Sequence, residues 1–287
     1  MPAGGKPTVR SRRLGGELRR LREATGMSSL EVADVLGCSQ AKISRMENGI
    51  VTTRVGDLLL LLDTYSVSDP QHRKYLERLA RESNKQGWWE SYSDTIAPHY
   101  AEVIGLENDA TYIRTWQSAV VPGLLQLPDY TRALMLANPA MISPDKIESM
   151  IQIREARQRR LHDAEHLRYH AIVWAPVLLS CVGSPEVHAR QLESVLETAG
   201  LPTVNLQVLP MNPAEFACLS TPFTMFSFGS DAVTSTVFLE NATSSHYLES
   251  ADAVMGYTLI FDTLRSAALS TTQSIRFIEK LVAGVRK

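Results

Sequence analysis

The chain has 287 residues, of which 44% are apolar and 21% charged, with a formal net charge of −2; this fills proper cores and makes two domains a fair expectation. Three cysteines, odd in number and widely spaced, do not suggest a disulfide framework. Apolar runs such as Leu58–Leu62 are far too short to span a bilayer, and the basic N-terminus lacks the apolar core of a signal peptide, so a cytoplasmic protein is expected with no membrane partner.

Residues 1–9, with Pro2, Gly4, Gly5 and Pro7, read as a loose tail. Arg10, Arg12 and Arg13 follow, either as an arm on DNA phosphates or in a minor groove, or as a solvated helix start. Leu14, Leu18 and Leu21 form the apolar stripe of a first helix that Gly26 ends. Ser28 is an N-cap, and Glu31 three residues later completes a capping box. Leu30, Val32, Ala33 and Leu36 give this second helix its buried side. Gly37 ends it, because the residue after a helix usually needs φ > 0. Ser39 caps a third helix with Ile43 and Met46 inward, and Asn48-Gly49 stops it. Two helices crossing steeply need a side chain without bulk where they touch, and Ala33 supplies one. Thr53 to Tyr65 reads as a fourth helix, with Val55, Leu58, Leu59, Leu61 and Leu62 largely buried. Asp69-Pro70, a cap and a first-turn proline, opens a fifth helix to about Asn84, with Tyr75, Leu76 and Leu79 inward.

Ala33, Gly37 and Ile43 at these intervals, with the ending Ile43-Ser44-Arg45-Met46-Glu47-Asn48-Gly49, resemble the helix-turn-helix of the phage-repressor-like (Xre) family. The resemblance implies double-stranded DNA as partner and assigns roles. Gln40 falls where family members present a side chain to base edges, and Ala41, Ser44 and Arg45 share its exposed side. Gln can bind adenine at two points, Arg guanine likewise, and Ala can touch a thymine methyl. Ser29, Ser39, Lys42 and Asn48 are better placed for phosphates. Arg22 and Glu47 match an ion pair of related repressors, so Glu47 is read as structural. Cys38 falls at a buried turn position and reads as a small core residue.

Charge supports this division. Residues 1–87 hold 15 Lys/Arg against 10 Asp/Glu, a surplus of +5, whereas the rest carries 14 against 21, or −7. A basic front suits DNA and an acidic back does not. Gly87-Trp88-Trp89 marks the change: the tryptophans either pack a linker or one of them lines a ligand site. Beyond it, Ala97–Leu106 reads as helix and Asp109–Val121 as strand. A turn leads into a helix from Pro128 to about Ala137, and Pro144 to about His166 reads as a long polar helix. Strands are expected at Leu167–Trp174, Thr203–Leu209, Pro222–Phe228 and Ser235–Glu240. Helices are expected at Pro185–Ala199, Tyr247–Ala268 and Thr271–Ala283. The expected architecture is an all-α, five-helix Xre-type domain over 1–85, then an α+β domain over 86–287 with a mixed sheet covered by helices.

Several stretches carry a second resemblance: Val121-Pro122-Gly123-Leu124-Leu125-Gln126, Asp129-Tyr130-Thr131-Arg132-Ala133, Arg157-Gln158, Gln207-Val208-Leu209-Pro210 and Phe238–Glu240. Together they look like the two-part actinobacterial regulators, an Xre-type motif followed by a C-terminal domain of unknown function. The chain departs from that pattern at Leu127, where threonine is usual, and at Trp174, where a glutamate is frequent. The resemblance implies transcriptional control, sometimes beside a small partner protein in a toxin–antitoxin-like pair, and supplies no established ligand.

Enzyme activity is not expected: the chain has no phosphate-cradling glycine loop, zinc-type cysteine pair or nucleophile elbow. His162, His166 and His170 would share a helical face, but Leu167-Arg168-Tyr169-His170 looks like the start of a strand, so no metal site and no cofactor are expected. Two functions stay open for the second domain: small-molecule sensing, or binding of protein, either a second copy or an antitoxin-like partner. Trp116, Trp174, Phe223, Met225, Phe226, Phe228 and Tyr257 could line a cavity, with ordinary core as the default. A homodimer is expected, assembled chiefly through residues 88–287 with the closing helices as candidates, because Val254, Tyr257, Leu259, Ile260, Phe261 and Leu264 cover more than one helical face; the alternative is that these residues sit wholly inside one subunit.

Overall fold

The computed structural model describes residues 9–83, 87–137, 142–162, 167–212, 216, 220–229, 235–241 and 244–285. The expected N-terminal tail lies outside the described residues, apart from Val9 at the start of the first helix. The chain divides into two compact units, 1–91 and 92–287.

Among its described residues the first unit holds five α-helices: α1 (Val9–Ala24), α2 (Ser29–Val35), α3 (Gln40–Glu47), α4 (Val55–Thr64) and α5 (Pro70–Glu82). Local chemistry sets their ends. The Ser28 side chain accepts from Glu31 N at 3.2 Å while Ser28 N donates to Glu31 at 2.8 Å, so two otherwise unsatisfied donors at the start of α2 are paired. Ser39 caps α3, and Asp69 accepts from Gln71 N and His72 N ahead of Pro70. Gly26, Gly37 and Gly49 follow α1, α2 and α3 with φ of 72°, 59° and 69°. Leu14, Leu18, Val32, Ala33, Ile43, Met46, Leu58, Leu61, Leu62, Leu76 and Leu79 make the core.

Two expectations fail. Leu30 is 57% exposed, because the seven-residue α2 fully buries only Val32 and Ala33. Cys38 is half-buried, not a core residue. Ala33 is buried as expected, and α1 also comes close to the end of α3 at two glycines. A Cβ on Gly15 of α1 would stand 2.5 Å from the carbonyl oxygens of Met46 and Glu47, and one on Gly49 would stand 2.5 Å from Arg12 N. Glycine at both points lets α1 cross the end of α3 backbone to backbone.

The second unit is built on one six-stranded sheet. Its elements are α6 (Pro98–Asp109), β1 (Tyr112–Gln117), α7 (Pro128–Leu136), α8 (Ile147–Gln158), β2 (Arg168–Trp174), α9 (Ala175–Leu179), α10 (Pro185–Ala199), β3 (Val204–Leu209), β4 (Phe223–Ser227), β5 (Ser235–Glu240), β6 (Ser245–Leu248), α11 (Ala251–Ala267) and α12 (Thr271–Val285). The strand order is β3-β2-β1-β4-β5-β6. β1, β2 and β3 run parallel, joined by helical crossovers, and β4, β5 and β6 add antiparallel. The buried run Tyr169–Val173 in β2 reflects cover on both faces. One core cluster joins Trp116, Ile172, Leu209, Phe223, Met225 and Val237 of the sheet to Phe261 and Leu264 of α11. The β3 edge is closed by the segment before and inside α12: Val208 N donates to Ser274 Oγ, and Leu269 N donates to Val208 O, both at 2.9 Å.

The mixed sheet covered by helices agrees with the sequence reading, but four elements are corrected. Asp109 ends α6, so β1 is shorter than the expected Asp109–Val121 strand. The expected long polar helix after Pro144 breaks into a 3-10 turn, α8 and a second 3-10 turn, Arg159–His162, with residues 163–166 outside the described set. It is not polar throughout, since Ile147, Ile151 and Ile153 are buried apolar residues, with Arg157 buried as well. Tyr247 lies in β6, and α11 starts only after Ser250, whose side chain accepts from Ala253 N. The short α9 is an element that the sequence reading did not contain. Among the described residues no helix is long and apolar enough to cross a membrane.

Candidate nucleic-acid interface

Helix α3 buries Ile43 and Met46, which leaves its other side free. Gln40, Ala41, Ser44 and Arg45 are all exposed there, at helical spacings that put them on one face. Gln40 Nε2 donates to Ser29 Oγ at 2.8 Å, which ties the first turn of α3 to the first turn of α2. The N-termini of both helices are thus held close together, and helix N-termini favour anions such as phosphates. Ser39 caps α3 at the surface and Ser29 is half-buried.

The other expected contacts are already engaged within the protein. Lys42 Nζ donates to Asp57 of α4 at 3.1 Å. Asn48 Nδ2 donates to Ser44 O at 2.8 Å and closes the last turn of α3. Arg45 Nε donates to Ala41 O at 3.3 Å, leaving the far end of its guanidinium towards solvent. The Lys42–Asp57 link was not legible in the sequence, because it depends on how α4 lies against α3. Arg10 is half-buried and Arg12 exposed on α1, whereas Arg13 is buried with its guanidinium 5.5 Å from the Tyr75 ring centre. Arg13 is therefore a packing residue and not part of an arm.

Behind the surface, Arg22 of α1 holds Glu47 of α3 in a two-point ion pair, at 2.6 Å and 3.0 Å. The same guanidinium donates to Met27 O at 2.9 Å. The Arg22 pKa is raised, first by its hydrogen bond to Glu47. Burial and the Glu47 charge push the neighbouring Tyr65 hydroxyl up to about 12. Glu47 faces its own domain, as its match to the repressor ion pair implied.

In the second unit Gln126 and Thr131, which carry the other resemblance, are buried, as is Gln191. Gln126 donates to Val121 O and accepts from Arg154 and Thr131. Gln158 Nε2 donates to Gln126 O at 2.6 Å, and Gln191 bonds Leu127 N and Leu125 O, each at 2.7 Å. Arg157 pairs with Glu107 through two bonds of 2.6 Å and donates to Tyr100. These bonds lock the Val121–Leu127 turn to α8 and α10. Next to it lies an open cleft of about 240 Å³ bordered by Leu124, Gln158, His162 and Glu197. The aromatics and the methionine proposed for a cavity do not line it: Trp116, Phe223, Met225, Phe226 and Phe228 are buried core, with Trp174 and Tyr257 packed against the core. His162 lies in a 3-10 turn, His170 is in β2, and His166 is outside the described residues. Among the described residues no group of three or more His, Cys, Asp or Glu is placed to hold a metal. Trp88 is half-exposed and Trp89 buried, the two rings meeting edge to face.

The architecture and the exposed third helix define a helix-turn-helix protein. A family model described as a helix-turn-helix domain matches residues 13–76, which marks the chain as a DNA-binding regulator. A second, described as a domain of unknown function (DUF5753), matches residues 100–280, well over half of the chain, and the chain belongs to that family. Comparison with curated proteins and with solved structures gives no match.

Proposed function

We propose that this protein is a sequence-specific transcription regulator of the Xre type, reading duplex DNA with α3. The carrying observation is the exposed quartet Gln40, Ala41, Ser44 and Arg45 on one face of a helix whose back is fixed by Ile43, Met46 and the Arg22–Glu47 pair. In this reading Gln40 and Arg45 bond base edges and Ala41 meets a thymine methyl. Ser29, Ser39, Lys42 and Asn48 hold phosphates, with Lys42 exchanging Asp57 for DNA. The second domain pairs two copies and senses a small molecule. Pairing is supported by Met255 and Leu259 of α11, which are 64% and 62% exposed and one helical turn apart.

Fluorescence anisotropy of the full chain with labelled duplexes tests the DNA reading. Affinity falls steeply with salt, by a log–log slope of about 0.9 for each phosphate contact. Binding that is absent, or insensitive to salt, removes the proposal.

A further inference from the structure

The sheet face beneath α11 is apolar at one end and polar at the other. Trp116 and Ile172 belong to the apolar end. Two residues back along each strand the same face carries Arg114 beside His170, and two further back Tyr112 beside Arg168. Arg114 is only 8% exposed, and no carboxylate bonds it among the described residues. Its Nη2 reaches Ser227 Oγ at 3.4 Å, and its Nε is buried with no hydrogen-bond partner. Its Cζ lies 5.4 Å from the Tyr112 ring centre and 5.9 Å from that of Phe261. Those rings offset part of the cost of a buried cation, but they leave the Nε donor unsatisfied.

Other cations gather around it. Arg168 is exposed and stacks on the Tyr112 ring at 4.8 Å. Arg265, exposed on α11, lies near enough to act on Arg114 and pairs with Asp262 at 3.2 Å. Among the described residues, Asp262 is the one carboxylate that acts on Tyr112, Arg114 and His170 of this cluster. His170 Nε2 is engaged with Gln207 at 2.8 Å, and its Nδ1 stands 3.5 Å from the Tyr112 hydroxyl.

We propose that this end of the sheet binds a small oxyanion, the phosphate or carboxylate group of a metabolite. Arg114 takes it from the interior, Arg168 and Arg265 from the rim, and the Tyr112 hydroxyl is a further donor. Guanidinium groups match planar and tetrahedral oxyanions through paired N–H bonds. A DNA backbone is a poor occupant, because Arg114 is too buried for a duplex and residues 88–287 carry a charge of −7. The proposal deepens the sensing role given to the second domain and does not depend on DNA binding.

Isothermal titration calorimetry on the full chain tests it, with inorganic phosphate in one arm, succinate in another, and sodium chloride at matched ionic strength as reference. Saturable binding of phosphate or succinate is expected, and the arm that binds tells phosphate from carboxylate. Arg168→Gln with Arg265→Gln, both at the surface, weakens it about tenfold or more, and Arg114→Met abolishes it. No saturable heat in either arm overturns the proposal. So does an R168Q/R265Q protein that binds like the parent. If Arg114→Met fails to fold, the surface pair decides. Loss of DNA affinity in that pair with oxyanion binding unchanged assigns the cluster to DNA and likewise overturns the proposal.

Discussion

Arg22 and Glu47, 25 positions apart in sequence, meet through two hydrogen bonds with side chains only 13% and 9% exposed. The pair joins α1 to the end of α3, whose other side carries the exposed face. Removing one partner leaves a charge with little water to solvate it. Glu47→Ala is expected to destabilise the first domain by about 3 kcal/mol. Arg22→Met with Glu47→Leu recovers much of that loss, because neither charge then remains. Hydrogen exchange of the α1 and α3 amides in the full chain measures both.

Gly15 and Gly16 are neighbours on α1 in opposite situations. A Cβ on Gly15 meets backbone carbonyls at 2.5 Å, whereas one on Gly16 meets nothing within 4 Å. Gly15→Ala must therefore push α1 off α3, at about 1–3 kcal/mol. Gly16→Ala gains helix propensity and stabilises by up to about 1 kcal/mol. Thermal unfolding of the two variants should move the melting temperature in opposite directions.

Glu17 supplies a pH dependence. Burial alone would raise its pKa, but His72 and Arg20 more than offset this and hold the carboxyl below its ordinary value. Its folded pKa is thus lower than its unfolded one. The stability it contributes is complete above the unfolded value near 4.5 and is lost as pH falls through the folded one. Glu17→Gln should flatten the acid limb of the stability curve below about pH 4.5 and leave the neutral region comparatively little changed in slope.

The local signals were legible in the sequence, and the long-range ones were not. Ser28 with Glu31, Ser39, Asp69-Pro70 and the three glycines after α1, α2 and α3 act within a few residues, so their roles could be read directly. The surface face of α3 followed from the burial of Ile43 and Met46. Leu30 was misread because hydrophobicity says nothing of how short α2 is. Gly15 carried no periodic signal, since its role lies in what crosses it. Arg157 lies in a stretch that reads as a polar helix, and only Glu107, 50 residues earlier, makes it a buried anchor. β6 was absorbed into a helix because its pairing with β5 is not written in its own four residues.

Pairing of two copies is expected to depend on α11. Phe261 and Leu264 lie inside one subunit's core, which removes them from the proposed interface. Met255 and Leu259 remain at the surface. Light scattering of the full chain should give a dimer at micromolar concentration, and Met255→Glu with Leu259→Glu should give a monomer. A monomeric parent protein rules out pairing through this face off DNA.

Helix α3 is expected to specify sequence, which selection of binding sites from a random duplex library, run with the parent protein and with Gln40→Ala and Arg45→Ala, measures. An enriched inverted repeat is expected, with half-sites about 10 bp apart or a multiple of it. Each substitution should cost about 1–3 kcal/mol of discrimination at particular base pairs and leave the other positions unchanged. Failure to enrich any sequence, or uniform weakening on selected and random DNA alike, would contradict it.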